Sequence, residues 1–162
     1  MAGFKEALAS NTDLIFEMDA DFSHDPVDIP KFVEKIKEGY DVVIGSRLAY
    51  GGIVIGWGLW RKLVSFGGNF IGKHIAGVHV SDLTSGYRVY KASVLKSINL
   101  DEIKSKGYDF QLEILWRVIK RNSKIEVVPI VFRERQRGKS KLSKIDIINF
   151  FVTAIKIRLN LI

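Results

Sequence analysis

The sequence predicts an α/β domain built on a mostly parallel sheet. Two short apolar runs, Leu14-Ile15-Phe16 and Val42-Val43-Ile44, have the length and composition of buried strands. Between them Ile29, Phe32, Val33 and Ile36 recur at the spacing of one helix face. Strand, helix and strand within so short a span make a βαβ unit, whose strands lie parallel through a right-handed crossover.

The remaining elements follow in order. Residues 2–10 read as a helix with Phe4, Ala7 and Leu8 on one face, and Asn11-Thr12-Asp13 turns the chain into a strand over 14–18. Asp25-Pro26 and Asp28 offer a cap for a helix over 27–38, which Gly39 stops. A strand over 41–45 comes next, then a flexible loop marked by Gly51-Gly52 and Gly56-Trp57-Gly58, then a helix over 59–75. Residues 82–90 read as turn and strand, and 109–121 as a helix. Residues 125–132 read as a strand in which Pro129 favours an end or a sheet edge. A basic loop over 133–144 precedes a final helix over 145–162.

At 162 residues, 47% hydrophobic and 27% charged, the chain has the composition of one globular domain. The absence of cysteine excludes disulfides and thiolate metal sites, and fits a reducing compartment. The first eight residues carry charges and lack the apolar run of a signal peptide. The net charge of +7 is divided: residues 1–41 hold ten acidic and four basic side chains, and the remainder eight acidic and twenty-one basic. Such a division suits a metal-binding pole beside an anion-binding pole. No zinc-finger, RNP or helix-turn-helix signature accompanies the basic residues, so nucleic acid is not the expected partner.

Asp19 and Asp21 stand one residue apart where the first strand ends. Two carboxylates so close repel each other unless a cation lies between them, and hard ions such as Mg²⁺ or Mn²⁺ prefer oxygen ligands. The carboxyl ends of strands in an open α/β sheet are where such folds bind ligands. Taken alone, an Asp-X-Asp is more often a solvated turn. Gly45-Ser46-Arg47 leaves the next strand at the same edge, so Arg47 can fork onto a phosphate or pair with a carboxylate. Arg61 and Ser65 lie one helical turn apart and can hold a second phosphate or simply form a solvated face. Asp82-Leu83-Thr84-Ser85-Gly86-Tyr87-Arg88 has the composition of an active-site loop, and equally of an Asx turn with a capping arginine. His24, His74 and His79 show no metal-ligand spacing and read as surface or loop residues. The stretch Arg133-Glu134-Arg135-Gln136-Arg137-Gly138-Lys139-Ser140-Lys141 sets a base at every second position and reads as a phosphate clamp. In the final helix Asp146, Asn149, Thr153, Lys156 and Asn160 form one narrow polar stripe. Its apolar remainder suits the core or a membrane interface, with Phe150 and Phe151 among acyl chains.

In sequence order these pieces resemble the dolichol-phosphate mannosyltransferases of glycosyltransferase family 2. The shared tracts are Met18 to His24, Gly45-Ser46-Arg47 with Gly51-Gly52, Trp57 with Arg61-Lys62 and Ser65, and Gly68-Asn69-Phe70. Asp82 to Tyr90, Gly107 to Glu113, Val128-Pro129-Ile130, and Arg135 with Gly138, Ser140, Lys141 and Leu142 complete them. The resemblance implies a GT-A, Rossmann-like fold, a nucleotide-sugar donor such as GDP-mannose, and a polyprenyl or dolichyl phosphate acceptor. By the same resemblance Asp19 and Asp21 match the metal motif, with Ser23 within reach of the ion. Arg47, Arg61 and Ser65 match the acceptor-phosphate site. Arg135, Ser140 and Lys141 match groups that close over the donor diphosphate, and Asp82 and Arg88 are the candidate catalytic residues. The family's first strand, its Pro-x-Tyr-Asn-Glu-like turn and its second strand have no counterpart here, because Met1 aligns inside the helix that precedes the Asp-X-Asp strand.

Residues 1–144 are therefore expected to be the C-terminal portion of a GT-A domain, and 145–162 an amphipathic helix. The expected activity is inverting transfer of a hexosyl group, assisted by a divalent metal, at the cytosolic face of a membrane to which the protein is peripheral. Two alternatives stay open: a glucosyltransferase using UDP-glucose, and a non-catalytic fragment that binds anionic lipid.

Overall fold

The computed structural model describes residues 1–135 and 143–162. Among the described residues, six helices and six strands follow in the order α1 (Ala2–Ala9), β1 (Leu14–Glu17), α2 (Ile29–Lys37), β2 (Val42–Ser46), β3 (Ile53–Ile55) and α3 (Leu59–Ala76). They continue as β4 (Arg88–Lys91), α4 (Ala92–Ser97), α5 (Asp109–Lys120), β5 (Ile125–Pro129), β6 (Val131–Arg133) and α6 (Lys144–Arg158). Short 3₁₀ turns at Pro26–Asp28 and Leu100–Glu102 complete the described residues. Asp25 caps the first of them by accepting the Val27 N–H, as the Asp-Pro pair predicts.

The main sheet has the order β1-β4-β2-β5. β4 runs antiparallel to both β1 and β2, and β2 runs parallel to β5. Three of the four strands thus point one way, and the βαβ unit expected over 14–46 is present with β4 inserted between its strands. A second, two-stranded sheet pairs β3 with β6 in parallel. Two expectations are corrected here. The glycine-marked loop contains β3, and the strand expected over 125–132 is two strands. Pro129 cannot donate a ladder hydrogen bond, and the chain changes sheets just beyond it. Ile130 is the hinge: its N–H bonds Ser46 O at 3.1 Å, while its carbonyl accepts the Ile53 N–H at 3.0 Å.

β2 is buried along its whole length, as befits a central strand covered on both faces. Its side chains alternate between two cores. Val42 and Ile44 face Phe4, Leu83, Tyr90, Leu112, Leu115, Phe150 and Ala154, beneath α1, α3, α5 and α6. Val43 faces Phe32, Tyr87, Val89, Val128 and Ile130, beneath α2. A fully buried side chain such as Phe32 or Leu115 contributes about 1.5–3 kcal/mol.

α6 packs between α3 and α5, burying Phe150, Thr153, Ala154 and Ile157. Ser143 caps it reciprocally with Asp146, each side chain taking the other's backbone N–H. Gly72 of α3 makes the close approach possible, because a Cβ there would lie 2.5 Å from Phe150 Cε1. The expectation that Phe150 sits among acyl chains is thereby corrected: its ring is core. The outward face of α6 carries Ile145, Ile148, Val152, Ile155 and Leu159 instead.

Candidate active site

Strand direction gathers the site. β1 and β2 deliver Asp19 and Arg47 from their carboxyl ends. Because β4 is reversed, the loop that enters it, Asp82 to Tyr87, starts at that same edge. α3 crosses in front with Arg61, Ser65 and Asn69 at successive four-residue steps, hence on one face. A cavity of about 680 Å³ opens between these elements, with Asp19, Arg47, Arg61, Ser65, Thr84 and Arg135 in its polar wall. Apolar side chains complete its lining: Trp60, Leu63 and Ile71 of α3 and Ile147, Phe150 and Phe151 of α6.

Asp19 is held from behind by His24. Its backbone N–H donates to His24 Nδ1 at 3.0 Å, which fixes that nitrogen as an acceptor and the ring as neutral. His24 is buried, stacked on Tyr87 at 4.8 Å and edge-on to Phe132, so its reading as a surface residue is corrected. Burial holds its pKa below the ordinary value despite the nearby Asp19 carboxylate. Asp21 accepts both the backbone N–H and the hydroxyl of Ser23, which turns the chain through Phe22 at φ 64°. Burial alone would raise the Asp21 pKa, but the Ser23 hydrogen bonds and the charge of Arg135 hold it below the usual range. Ser23 is itself buried, and its hydroxyl donates to Asp21 and orients that carboxylate.

The two carboxylates offer hard oxygen donors. Among the described residues no three His, Cys, Asp or Glu side chains converge as a cage. Mg²⁺ is commonly held in this way, by one or two carboxylates with phosphate oxygens and waters completing the shell. The residues therefore fit a divalent cation that a phosphorylated ligand helps to bind.

Arg47 and Asp82 form a forked ion pair, Nε to Oδ2 at 2.7 Å and Nη2 to Oδ1 at 2.8 Å. Arg47 also donates to Thr84 Oγ1 at 2.8 Å, and its guanidinium carbon lies 5.3 Å from the Trp57 ring centre. Asp82 is fully buried; burial pushes its carboxyl up, but Arg47 and Thr84 outweigh this and hold it below the ordinary range. A carboxylate so committed is a poor base and lies behind the cavity wall. Arg88 is also fully buried, and its guanidinium donates to the carbonyls of Ser85, Gln111 and Leu83, each at 2.8 Å. In this structure Arg88 braces the loop, and Asp82 orients Arg47.

Arg61 lies 4.2 Å above the Trp57 ring and pairs with Glu134 at 3.0 Å. Arg135 reaches Asp21 Oδ2 at 3.5 Å. Ser140 and Lys141, with Arg137 and Lys139, lie outside the described residues.

Asn69 was missed as a site residue, although its place one turn beyond Ser65 announces it. Buried on α3, it donates to Ser65 O and Thr84 Oγ1 and accepts the Leu83 N–H at 2.7 Å, tying helix to loop. Gln111 Nε2 donates to Glu17 Oε1. Burial raises the Glu17 pKa, and its Oε2 has no hydrogen-bond partner among the described residues.

Solved structures of glucosyl-3-phosphoglycerate synthase from Mycobacterium tuberculosis share this architecture. The complex with Mn²⁺, UDP-glucose and phosphoglyceric acid superposes with a TM-score of 0.60 at 18% identity, over 95% of this chain and 52% of that one. The complex with phosphoglyceric acid alone gives 0.61 over 93% and 51%. At such identity the likeness establishes the GT-A fold. The undecaprenyl-phosphate mannosyltransferase of Micrococcus luteus is 41% identical over 143 residues, 88% of this chain and 58% of the relative. The polyprenol monophosphomannose synthase of Mycolicibacterium smegmatis is 41% identical over 144 residues, 88% of this chain and 54% of the relative. The chain thus spans just over half the length of the curated relatives it matches. The model of glycosyl transferase family 2 matches residues 2–98, more than half of the chain. With strand order, cavity and relatives in agreement, the chain belongs to glycosyltransferase family 2.

Proposed function

We propose that the protein carrying this chain transfers a mannosyl group from GDP-mannose to a polyprenyl or dolichyl phosphate, with inversion. The observation that carries this reading is the mixed lining of the cavity, which joins Arg47, Arg61 and Ser65 to apolar side chains of α3 and α6. Such a site suits an anion attached to a long hydrocarbon. The names of the two curated relatives support the same acceptor and sugar.

In this reading the acceptor phosphate is its own nucleophile. A phosphate monoester loses its second proton near pH ~6, so no side-chain base is needed near neutrality. Arg47 and Arg61, with Ser65, align the phosphate for in-line attack, and water is excluded by the apolar lining. Arg135 faces the donor diphosphate, with Ser140 and Lys141 as its sequence-based companions. Asp19 and Asp21 would hold a Mg²⁺ or Mn²⁺ ion, which supplies neutralising charge to the departing diphosphate. The Mn²⁺ complex of the M. tuberculosis relative supports a divalent ion in this fold.

The full-length protein, incubated with labelled GDP-mannose, Mg²⁺ or Mn²⁺ and a polyprenyl phosphate, is expected to yield lipid-linked label. None would sink the assignment, and preferential labelling from UDP-glucose would make it a glucosyltransferase. A nucleotide-dependent rise in melting temperature separates either enzyme from a fragment that only binds lipid.

We further place the protein at the cytosolic face of a membrane, as a peripheral protein. No described helix is long and apolar enough to cross a bilayer. The support is a pair of exposed apolar faces beside the cavity: Leu59, Trp60, Leu63, Phe66 and Phe70 on α3, and Ile145, Ile148, Val152, Ile155 and Leu159 on α6. Faces of this kind suit the headgroup boundary, where an isoprenoid acceptor already lies.

A further inference from the structure

We propose that Glu134 is an internal competitor for the acceptor phosphate on Arg61, weakening the hold on monoester and diester alike and so hastening release of the singly charged diester product. The inference rests on the reading of Arg61 as an acceptor-phosphate group.

Glu134 is built into its place. It follows β6 directly, and its backbone N–H bonds Ile55 O at 2.9 Å, at the end of β3. The next residue, Gly56, has φ +90°, and a Cβ there would lie 2.7 Å from Glu134 Cβ, so the backbone of Gly56 is shaped to admit this side chain. The carboxylate reaches across to α3, 73 residues away in sequence, and meets Arg61 at 3.0 Å. The Arg61 guanidinium also lies 4.2 Å from the centre of the buried Trp57 ring, which favours this position. A carboxylate here occupies the place that the proposed acceptor's phosphate would take. Among the described residues, two further arginines of the site also meet carboxylates, Arg47 with Asp82 and Arg135 with Asp21. Asp82 is fully buried, whereas the Glu134 side chain is 46% exposed and free to leave.

The charge balance of the proposed reaction gives this pair a direction. A phosphate oxygen of the acceptor forms a bond to the anomeric carbon of the sugar. The bond from that carbon to the donor's β-phosphate oxygen breaks, and its electron pair leaves with the diphosphate. The acceptor thereby changes from a monoester with about two negative charges to a diester with one. The incoming dianion outcompetes a single carboxylate on Arg61. The product, with the same charge as Glu134 and fewer free oxygens, does not, so Glu134 recovers Arg61 as the product leaves.

The test uses full-length protein, farnesyl phosphate as the monoester probe and its methyl ester as the diester probe. Glu134→Gln preserves shape and removes the charge. It is expected to lower the KM for farnesyl phosphate about two- to fivefold, the range for a partly exposed ion pair. Diester inhibition should tighten by a similar factor, because both ligands displace the same carboxylate, and kcat should fall as product release slows. Unaltered diester inhibition in Glu134→Gln overturns the proposal, provided that Arg61→Gln still raises the KM. If Arg61→Gln leaves the KM for farnesyl phosphate unaltered, the acceptor reading of Arg61 fails and takes the proposal with it. Glu134→Ser serves as a second variant, and calorimetric binding of both probes without donor repeats the comparison in the absence of turnover.

Discussion

Asp82 carries a negative charge that no solvent reaches, and it is held ionised by the fork of Arg47. Replacing one member of a buried pair leaves the other charge uncompensated, at about 3–5 kcal/mol. Asp82→Asn is therefore expected to lose stability of that order at pH 7, read from denaturant melts. Because the folded Asp82 pKa is depressed, its stabilisation is complete above the unfolded value of about 3.9 and is lost as pH falls through the folded one. The variant should accordingly show a flatter loss of stability below pH ~4 than the parent protein. Asp19, Asp21, Arg47, Arg61 and Ser65 were legible in the sequence because each follows a strand or shares a helix face, and spacing alone puts them on one edge. The inward turn of Arg88 was not, since nothing in a string of residues says that three carbonyls lie within reach of one guanidinium. The burial of His24 was hidden for a similar reason: its aromatic neighbours, Tyr87 and Phe132, arrive from distant elements.

At the scale of elements, α6 explains why the final helix was ambiguous. Its polar stripe is narrow, and two of its apolar faces differ only in whether another helix covers them. Phe150 belongs to the covered face. Phe150→Ser is expected to cost roughly 3–5 kcal/mol, in the range for emptying a buried aromatic site. Loss of vesicle binding by that variant would therefore report unfolding. Gly72→Ala tests the contact from the other side. Crowding at 2.5 Å from the Phe150 ring opposes the ordinary helix gain of about 1 kcal/mol. A net loss on the order of 1 kcal/mol is expected, and Gly72→Ala combined with Phe150→Leu should lose less than the two changes summed. The splitting of β5 from β6 was half legible: Pro129 marked the place, but the partner that receives β6 is a three-residue strand too short for any pattern to announce.

For the molecule as a whole, an acidic N-terminal stretch carries the two carboxylates proposed to hold a cation, and the remainder is basic. The membrane reading follows this polarity, with two attractions that respond differently to salt. Charge contributions from exposed Lys and Arg weaken as the Debye length shrinks, while the α3 and α6 faces keep their affinity. Flotation with anionic vesicles is expected to fall only partly at high salt. Leu63→Glu with Ile148→Glu should abolish most of what remains, with stability changed by no more than about 0.5 kcal/mol, as for other exposed positions. Unaltered flotation of that double variant would remove α3 and α6 from the membrane.

The reversed strand β4, lying between β1 and β2, is also a ruler. Neighbouring strands stand about 4.8 Å apart, so the ends of β1 and β2 are separated by roughly 9.6 Å, two strand spacings. That interval lies between the carboxylates after β1 and the arginine after β2, in the gap where a sugar would pass from one phosphate to another. A side chain can be trimmed by a methylene, but a sheet changes width only by a whole strand. The span is thus set in steps too coarse for point mutation to adjust, and variation in which sugar is moved must come from the loops above the ruler.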